Sequence, residues 1–323
     1  MTQQKRTNSA VQSAMPAQHV SRATQNGTTV SNARELSPPP WVYRWLENAS
    51  STTSQLIHSD HTALATAIVA NANRLQPADF IQATLNALMD VRKRIESVGC
   101  AYPIRFWNFL PDIHRTQKID GQDRDRYMLF NEARVLAFRD WLQPDATASA
   151  CRATPAASGV GHAGDDLLIH CLAMKQPGQS IENPRQIRSF DYSRRYGPKP
   201  PNFARATFVA HPDFTHPQLL VAGTASIVGE QSMHDGNLLA QIEETIANLK
   251  SLLTTAGITD IADPLAAFTS LRVYYRNTSD QDAIELALQN QLSRQVPVEF
   301  LHADICRREL LVEIEGLAEL KHP

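Results

Sequence analysis

The 323-residue chain lacks a charge excess of either sign: 31 Lys and Arg stand against 33 Asp and Glu, a formal net of −2. It therefore lacks the basic face or tail that a general nucleic-acid binder displays. No apolar run reaches the roughly 18–20 residues needed to span a bilayer. Neither nucleic acid nor a membrane is an expected partner. Cysteine is scarce, with 4 in the chain, and Cys100, Cys151, Cys171 and Cys306 form no CxxC pair. That spacing suits reduced thiols in a cytoplasmic protein better than a disulfide framework or a zinc site. The 11 histidines include no HExxH pair, so no metal is expected. No GxGxxG opens a helix and no Walker A motif is present, so no nucleotide cofactor is expected either.

Residues 1–40 also lack something: they contain no Phe, Trp or Tyr. They are rich in Ser, Thr, Gln, Asn and Ala, with Lys5, Arg6, Arg22 and Arg34 against Glu35 alone. Such a stretch buries too little apolar surface to offset its ordering entropy, which predicts a disordered tail. Pro38-Pro39-Pro40 reads as a stiff spacer before Trp41. No apolar segment follows the basic residues, so a secretory signal is excluded.

What is present reads twice. Ile81, Leu85, Leu88, Val91 and Ile95 recur at helical spacing, as do Leu239, Ile242, Ile246, Leu249 and Leu253. Both patterns predict amphipathic helices, over 77–98 and 238–256. Both stop at a glycine, Gly99 and Gly257, the usual C-terminal cap. Each helix follows a β-rich segment and precedes an aromatic strand, Pro103-Ile104-Arg105-Phe106-Trp107-Asn108-Phe109 and Ser270-Leu271-Arg272-Val273-Tyr274-Tyr275. A second helix follows, over 124–142 and 280–293. A last strand closes each unit, at Leu167-Leu168-Ile169-His170-Cys171 and Leu310-Leu311-Val312-Glu313-Ile314. The expected fold is α+β: two units in tandem, 41–180 and 181–323, with helices on one face of each mixed sheet.

Two regions are chemically unusual. Residues 159–229 concentrate Arg, Tyr and Pro in a loop before a strand, and the Gly159-Val160-Gly161 run at its start is no dinucleotide fingerprint. Arginine offers a planar fork for a carboxylate, so two arginines and tyrosines suit a small dicarboxylate; a solvated loop is the alternative. In the closing strand, alternation places Leu311, Glu313 and Glu315 on one face and Val312 and Ile314 on the other. A carboxyl desolvated beside leucines has a raised pKa and becomes a usable general acid; a solvated face is the alternative. Aligning the two Leu-Leu pairs sets His170 opposite Glu313.

Five strings resemble the chorismatase family: Tyr102-Pro103-Ile104-Arg105-Phe106-Trp107-Asn108-Phe109-Leu110-Pro111, Arg126-Tyr127-Met128-Leu129-Phe130-Asn131-Glu132-Ala133-Arg134, Ile181-Glu182-Asn183-Pro184-Arg185-Gln186, Phe203-Ala204-Arg205-Ala206-Thr207 and Gly223-Thr224-Ala225-Ser226-Ile227. The second half is also similar to the RidA (YjgF) fold, which ends in a hydrophobic-Glu-hydrophobic-Glu strand. The resemblance implies release of pyruvate from the enolpyruvyl ether of chorismate, leaving 3-hydroxybenzoate, 4-hydroxybenzoate or both. A dihydroxycyclohexadiene carboxylate product, or RidA-like imine hydrolysis, is the alternative. It implies Glu313 as catalytic acid and Arg134 and Arg205 as carboxylate clamps. Tyr192, Tyr196, Gly223 and Thr224 would bind substrate, and Cys306 falls where benzoate-forming members place a cysteine. No cofactor is implied. RidA-like units bury their sheets by association, so the expected assembly is a homotrimer or a monomer.

Overall fold

The computed structural model describes residues 36–320 apart from 50, 54, 120, 143–153, 213, 260 and 261. Cys151 and the expected tail up to residue 35 lie outside the described residues.

Two sheets of six strands account for most of the chain. In the first, β1 (Ser51–Thr52), β2 (Leu56–His58), β3 (Thr62–Val69), β4 (Tyr102–Pro111), β7 (Ala156–His162) and β8 (Leu167–Met174) run in the order β1-β2-β3-β8-β4-β7. In the second, β9 (Gln179–Ile181), β10 (Ala206–Val209), β11 (Gln218–Ala225), β14 (Phe268–Tyr275), β15 (Val298–His302) and β16 (Val312–Glu319) run in the order β9-β10-β11-β16-β14-β15. The two orders are the same, strand for strand. In each, one parallel pair, β4 with β7 and β14 with β15, sits beside antiparallel ladders. The tandem mixed α+β architecture is thus present. Small hairpins, β5 (Thr116–Ile119) with β6 (Gln122–Asp125) and β12 (Ile227–Val228) with β13 (Gln231–Ser232), complete the strands.

The helices form where the apolar stripes lie. α2 (Pro77–Ser97) opens on a proline, whose fixed φ suits a first helical position, and ends before Gly99 at φ 78°. α3 (Arg126–Trp141) is capped by Asp125, which accepts from the Met128 N–H. α4 (Leu238–Thr255) is capped by Asn237 and stops before Gly257 at φ 99°, and α5 (Gln281–Gln291) follows β14. α2 and α3 cover one face of the first sheet, where Leu88, Val91 and Ile95 meet Ala65, Phe106 and Ile169. α4 and α5 cover the second sheet in the same way, with Leu249, Leu253 and Leu288 against Leu219, Val273 and Ile314. Each such fully buried side chain stabilises the fold by about 1.5–3 kcal/mol.

The other faces of the two sheets pack on each other. Leu64, Trp107, Phe109 and Leu172 of the first meet Leu220, Tyr274, Leu301 and Leu317 of the second in one core. The layers therefore run helix, sheet, sheet, helix. Two findings differ from the sequence reading. Gly159–Gly161 is no loop but the middle of β7, a strand buried throughout. Its glycines serve close approach: a Cβ at Gly161 would lie 2.5 Å from Ile113 Cγ2 and 2.9 Å from Asp304 Cβ, where the Gly161 N–H donates to the Asp304 carbonyl at 2.7 Å. The segment from Leu36 to Pro40 is also packed rather than extended as a spacer. Pro38 and Pro39 are buried, Pro40 opens α1 (Pro40–Arg44), and Trp41 and Val42 join the inter-sheet core. The carbonyls of Leu36 and Ser37 are taken by His170 and Arg272, which holds the strap down.

Candidate active site

Between the two sheets, on the β7–β11 side, opens a cavity of about 290 Å³, close to the lower end of the small-ligand range. The second unit supplies Glu313, Gly223, Tyr192, Tyr196, Arg205, Cys306 and Arg307 to its wall. The first unit supplies Tyr127, Ser158, Gly159, His114 and Asp125.

Glu313 sits on β16 with its side chain on the inter-sheet face, as alternation requires, while Val312 and Ile314 point into the helix-side core. It is 4% exposed. Among the described residues no donor hydrogen-bonds its carboxyl. Burial, then repulsion from Glu315, pushes its pKa up to about 8, against the pull of Arg105 and Arg205. The room for this carboxyl comes from a β-bulge: the β11–β16 register shifts between Val221 and Thr224. Gly223 lies in that bulge, and a Cβ there would stand 1.8 Å from Glu313 Oε1. Only glycine leaves the acid its place.

Glu315, two residues along the same face, has the opposite surroundings. Arg105 Nη2 donates to it at 2.7 Å and Trp107 Nε1 at 2.9 Å, and the Ser158 hydroxyl donates to it as well. Ser158 in turn accepts from Arg105 Nη2 at 2.7 Å and from the Gly223 N–H at 2.9 Å. This buried ion pair crosses between the sheets. Breaking such a pair by removing one partner typically costs about 3–5 kcal/mol, because a charge is left buried alone. Two carboxyls on one strand face are thus held in different environments, one hydrogen-bonded to Arg105, Trp107 and Ser158 and one desolvated beside the cavity.

The cationic wall stands opposite. Arg205, just before β10, donates through Nη2 to Tyr192 Oη at 2.7 Å and to the Ile187 carbonyl at 2.9 Å. Its guanidinium lies 5.0 Å from the Phe203 ring centroid. Arg307 lies 3.9 Å over Tyr196, and its Nη1 donates to the Glu230 carbonyl at 2.8 Å and Ser232 Oγ at 3.1 Å. Stacked and hydrogen-bonded arginines lose little freedom on binding an anion. Tyr192 and Tyr196 pack together at 5.3 Å between centroids. The Cys306 thiol, pushed up to about 12 by burial and by Glu313, stays protonated and faces the cavity as a small uncharged group.

Of the residues expected from sequence, Glu313, Arg205, Tyr192, Tyr196, Gly223 and Cys306 line this cavity. Arg134 and Thr224 do not. Arg134 is buried in α3, donates to Asn131 Oδ1 at 2.8 Å, and stacks on Phe130 and Phe203. It interacts with Tyr127, and it is Tyr127 that presents to the cavity. Thr224 follows the bulge, which turns its side chain away, and its hydroxyl donates to the Ala222 carbonyl at 3.0 Å. Residues that sequence reasoning passed over are Arg307, Ser158 and Tyr127. Arg307 adjoins Cys306, but nothing in a lone Arg-Arg pair separates a wall residue from a solvated one.

The chain matches the family model described as chorismatase FkbO/Hyg5-like, N-terminal, over residues 42–173. It is 31% identical over 258 residues to the 3-hydroxybenzoate synthase of Streptomyces hygroscopicus, covering 76% of this chain and 72% of that one. The chain belongs to the chorismatase family. A chorismatase of Streptomyces rapamycinicus is 32% identical over 228 residues, 69% of this chain and 66% of that one. A crystal structure of a chorismatase superposes with a TM-score of 0.71 at 28% identity, covering 83% of this chain and 78% of that one. In this chorismatase-family chain the family model stops within the first unit, at residue 173, whereas the buried acid is in the second. No helix among the described residues is long and apolar enough to cross a membrane.

Proposed function

We propose that this protein converts chorismate into pyruvate and 3-hydroxybenzoate, with or without 4-hydroxybenzoate. The observation that carries the reading is Glu313, a buried carboxyl whose pKa is pushed up to about 8 by that burial and which faces a cavity walled by arginines. The neutral acid gives its proton to the methylene carbon of the enolpyruvyl ether. The ether oxygen then shares the positive charge as an oxocarbenium ion, which an oxygen nucleophile, water or the ring hydroxyl, captures. In the water route the water that adds returns a proton to the Glu313 carboxylate. The bond between the former enol carbon and the ether oxygen breaks as the new hydroxyl proton passes to that oxygen, and pyruvate leaves. The ring then loses a C–H proton and one hydroxyl as water. Formation of hydroxybenzoate needs no net water, since any water added in cleaving the ether leaves again as the ring becomes aromatic.

The two substrate carboxylates fit the two stacked guanidiniums of Arg205 and Arg307, with Arg307 taking the place first given to Arg134. Protonated Glu313 adds no charge to repel them, and the fixed dipoles of Ser158 and Tyr127 face the same space. The 3-hydroxybenzoate product is favoured by Cys306 in the cavity wall and by the name of the relative in Streptomyces hygroscopicus. The division into units at 41–180 and 181–323 belongs to the same proposal. β8 ends at Met174 and β9, which pairs with β10 in the second sheet, begins at Gln179, which favours a boundary within 175–178, a few residues before the one expected.

Incubating the purified protein with chorismate, measuring pyruvate with lactate dehydrogenase and separating the aromatic products by chromatography, tests the reading. Pyruvate with 3-hydroxybenzoate is expected. Absence of pyruvate across the pH range overturns it, and a dihydroxycyclohexadiene carboxylate would replace the product assignment.

A further inference from the structure

Glu182 has no part in the chemistry above, yet its situation is odd. Both of its carboxyl oxygens are shielded from solvent and neither has a hydrogen-bond partner among the described residues. A buried acceptor left unmatched forfeits its hydration without a replacement, and the loss is greater if it is charged. The Nε of Arg205 is also buried and also without a partner among the described residues.

The sheet register explains why they are neighbours. β9 and β10 are antiparallel, pairing Ile181 with Ala206 and Ser180 with Thr207. One further rung sets Glu182 opposite Arg205, where directly opposed side chains on one face stand within reach. The charges acting on Glu182 agree. Arg205 exerts the largest pull on it, Arg188 a smaller one, and Asp191 opposes them. Arg188 is itself paired with Asp191 at 2.7 Å. Arg185, on the same segment, is taken by Asn248 and Glu244. Arg205 is therefore the cation that Glu182 can answer. Desolvation raises the Glu182 carboxyl to about 7.

We propose that Glu182 is a positioning residue that acts through Arg205: protonated, it leaves the guanidinium to the substrate carboxylate, and ionised, it draws Arg205 to itself in competition. The proposal rests on the reading of Arg205 as a substrate clamp. It separates two pH effects in one cavity. Loss of the Glu313 proton removes the acid and lowers kcat. Loss of the Glu182 proton weakens capture of an anion and raises KM. Gln at 182 has the shape of the protonated carboxyl, so Glu182→Gln fixes the binding-competent state.

The experiment is kcat and KM for chorismate against pH, for the wild-type protein and for Glu182→Gln, with binding of 3-hydroxybenzoate by calorimetry over the same range. For the wild type, KM and the dissociation constant should rise roughly tenfold from about one pH unit below 7 to one above, before kcat falls. In Glu182→Gln both should stay flat at the low-pH value below about 8, where Glu313 keeps its proton, while the kcat profile is unchanged. A wild-type KM and dissociation constant independent of pH, or a Glu182→Gln variant that keeps the rise, overturns the proposal. Failure of the chorismate reading shows differently, as absence of pyruvate from the wild type. The calorimetric arm then still decides the role of Glu182, and absence of 3-hydroxybenzoate binding at every pH counts against it.

Discussion

His170 and Glu313 occupy the same place in the two sheets. Glu313 lies between Ala225 and Tyr274, and His170 between Thr66 and Trp107, on strands of matching order. Burial treats them alike. It pushes Glu313 up to about 8 and holds His170 down to about 4, so both are uncharged near neutral pH. The consequence is opposite. A neutral carboxyl carries a proton to give, whereas the His170 ring is occupied on both sides, by Thr66 Oγ1 at 2.9 Å and the Leu36 carbonyl at 2.8 Å. Around them the space differs too. The bulge at Gly223 opens the second unit, while the aligned position of the first is Leu64, 3% exposed in the inter-sheet core. Arg105 and Arg272 hold equivalent places in β4 and β14, but Arg105 binds the carboxylate of the other sheet and Arg272 binds Glu299 and the Ser37 carbonyl. One copy of the fold became a site, and the other became its wall.

That contrast is breakable. The largest effect is expected from Glu313→Gln, which keeps the shape and removes the acid: kcat should fall about 10²–10⁴-fold. His170→Gln should leave kcat unchanged and lower stability in urea by about 1 kcal/mol. Equal losses of turnover in both variants would end the assignment of a single acid. Next is Gly223→Ala. Its Cβ displaces the Glu313 carboxyl, and a misplacement of that order lowers kcat about 10²-fold. The matching change, Leu64→Ala, should instead cost about 2–5 kcal/mol of stability, with the remaining folded protein fully active. The smallest effect is in pH dependence. Turnover should fall about tenfold per pH unit above about 8, as Glu313 loses its proton. His170 acts on stability with the other sign. Its folded pKa lies below the unfolded value of about 6.5, so the unfolded chain binds the extra proton and stability drops as pH falls from there towards about 4. His170→Gln should flatten that acid limb in denaturant titrations.

The sequence revealed the elements that obey a period. The helix stripes, the glycine stops and the Glu313–Glu315 face all rest on spacing, and α2 and α4 end within a residue of where spacing puts them. What escaped were features that depend on a distant segment. The glycines of β7 looked like loop, because the reason for them, Tyr127 against Gly159 and Asp304 against Gly161, lies elsewhere in the chain. Thr224 was implied as a substrate contact by the resemblance alone, and a matching string carries no sign of the bulge that turns its side chain to the Ala222 carbonyl. Arg134 carries the right charge in a matching string, but Tyr127 stands between it and the cavity. The Arg105–Glu315 pair joins residues 210 positions apart, and no local pattern announces it.

The bulge at Gly223 also bears on how the two copies could be interchanged. A glutamate at position 170 would find Leu64 filling the space, Arg272 already engaged by Glu299 and the Ser37 carbonyl, and the strap carbonyl of Leu36 left without its His170 partner. A carboxyl at position 170 alone would therefore stand in a filled core, with no bulge beside it to open a cavity. The division of labour between the halves rests on the shape of the neighbouring strand as much as on the residue at one position.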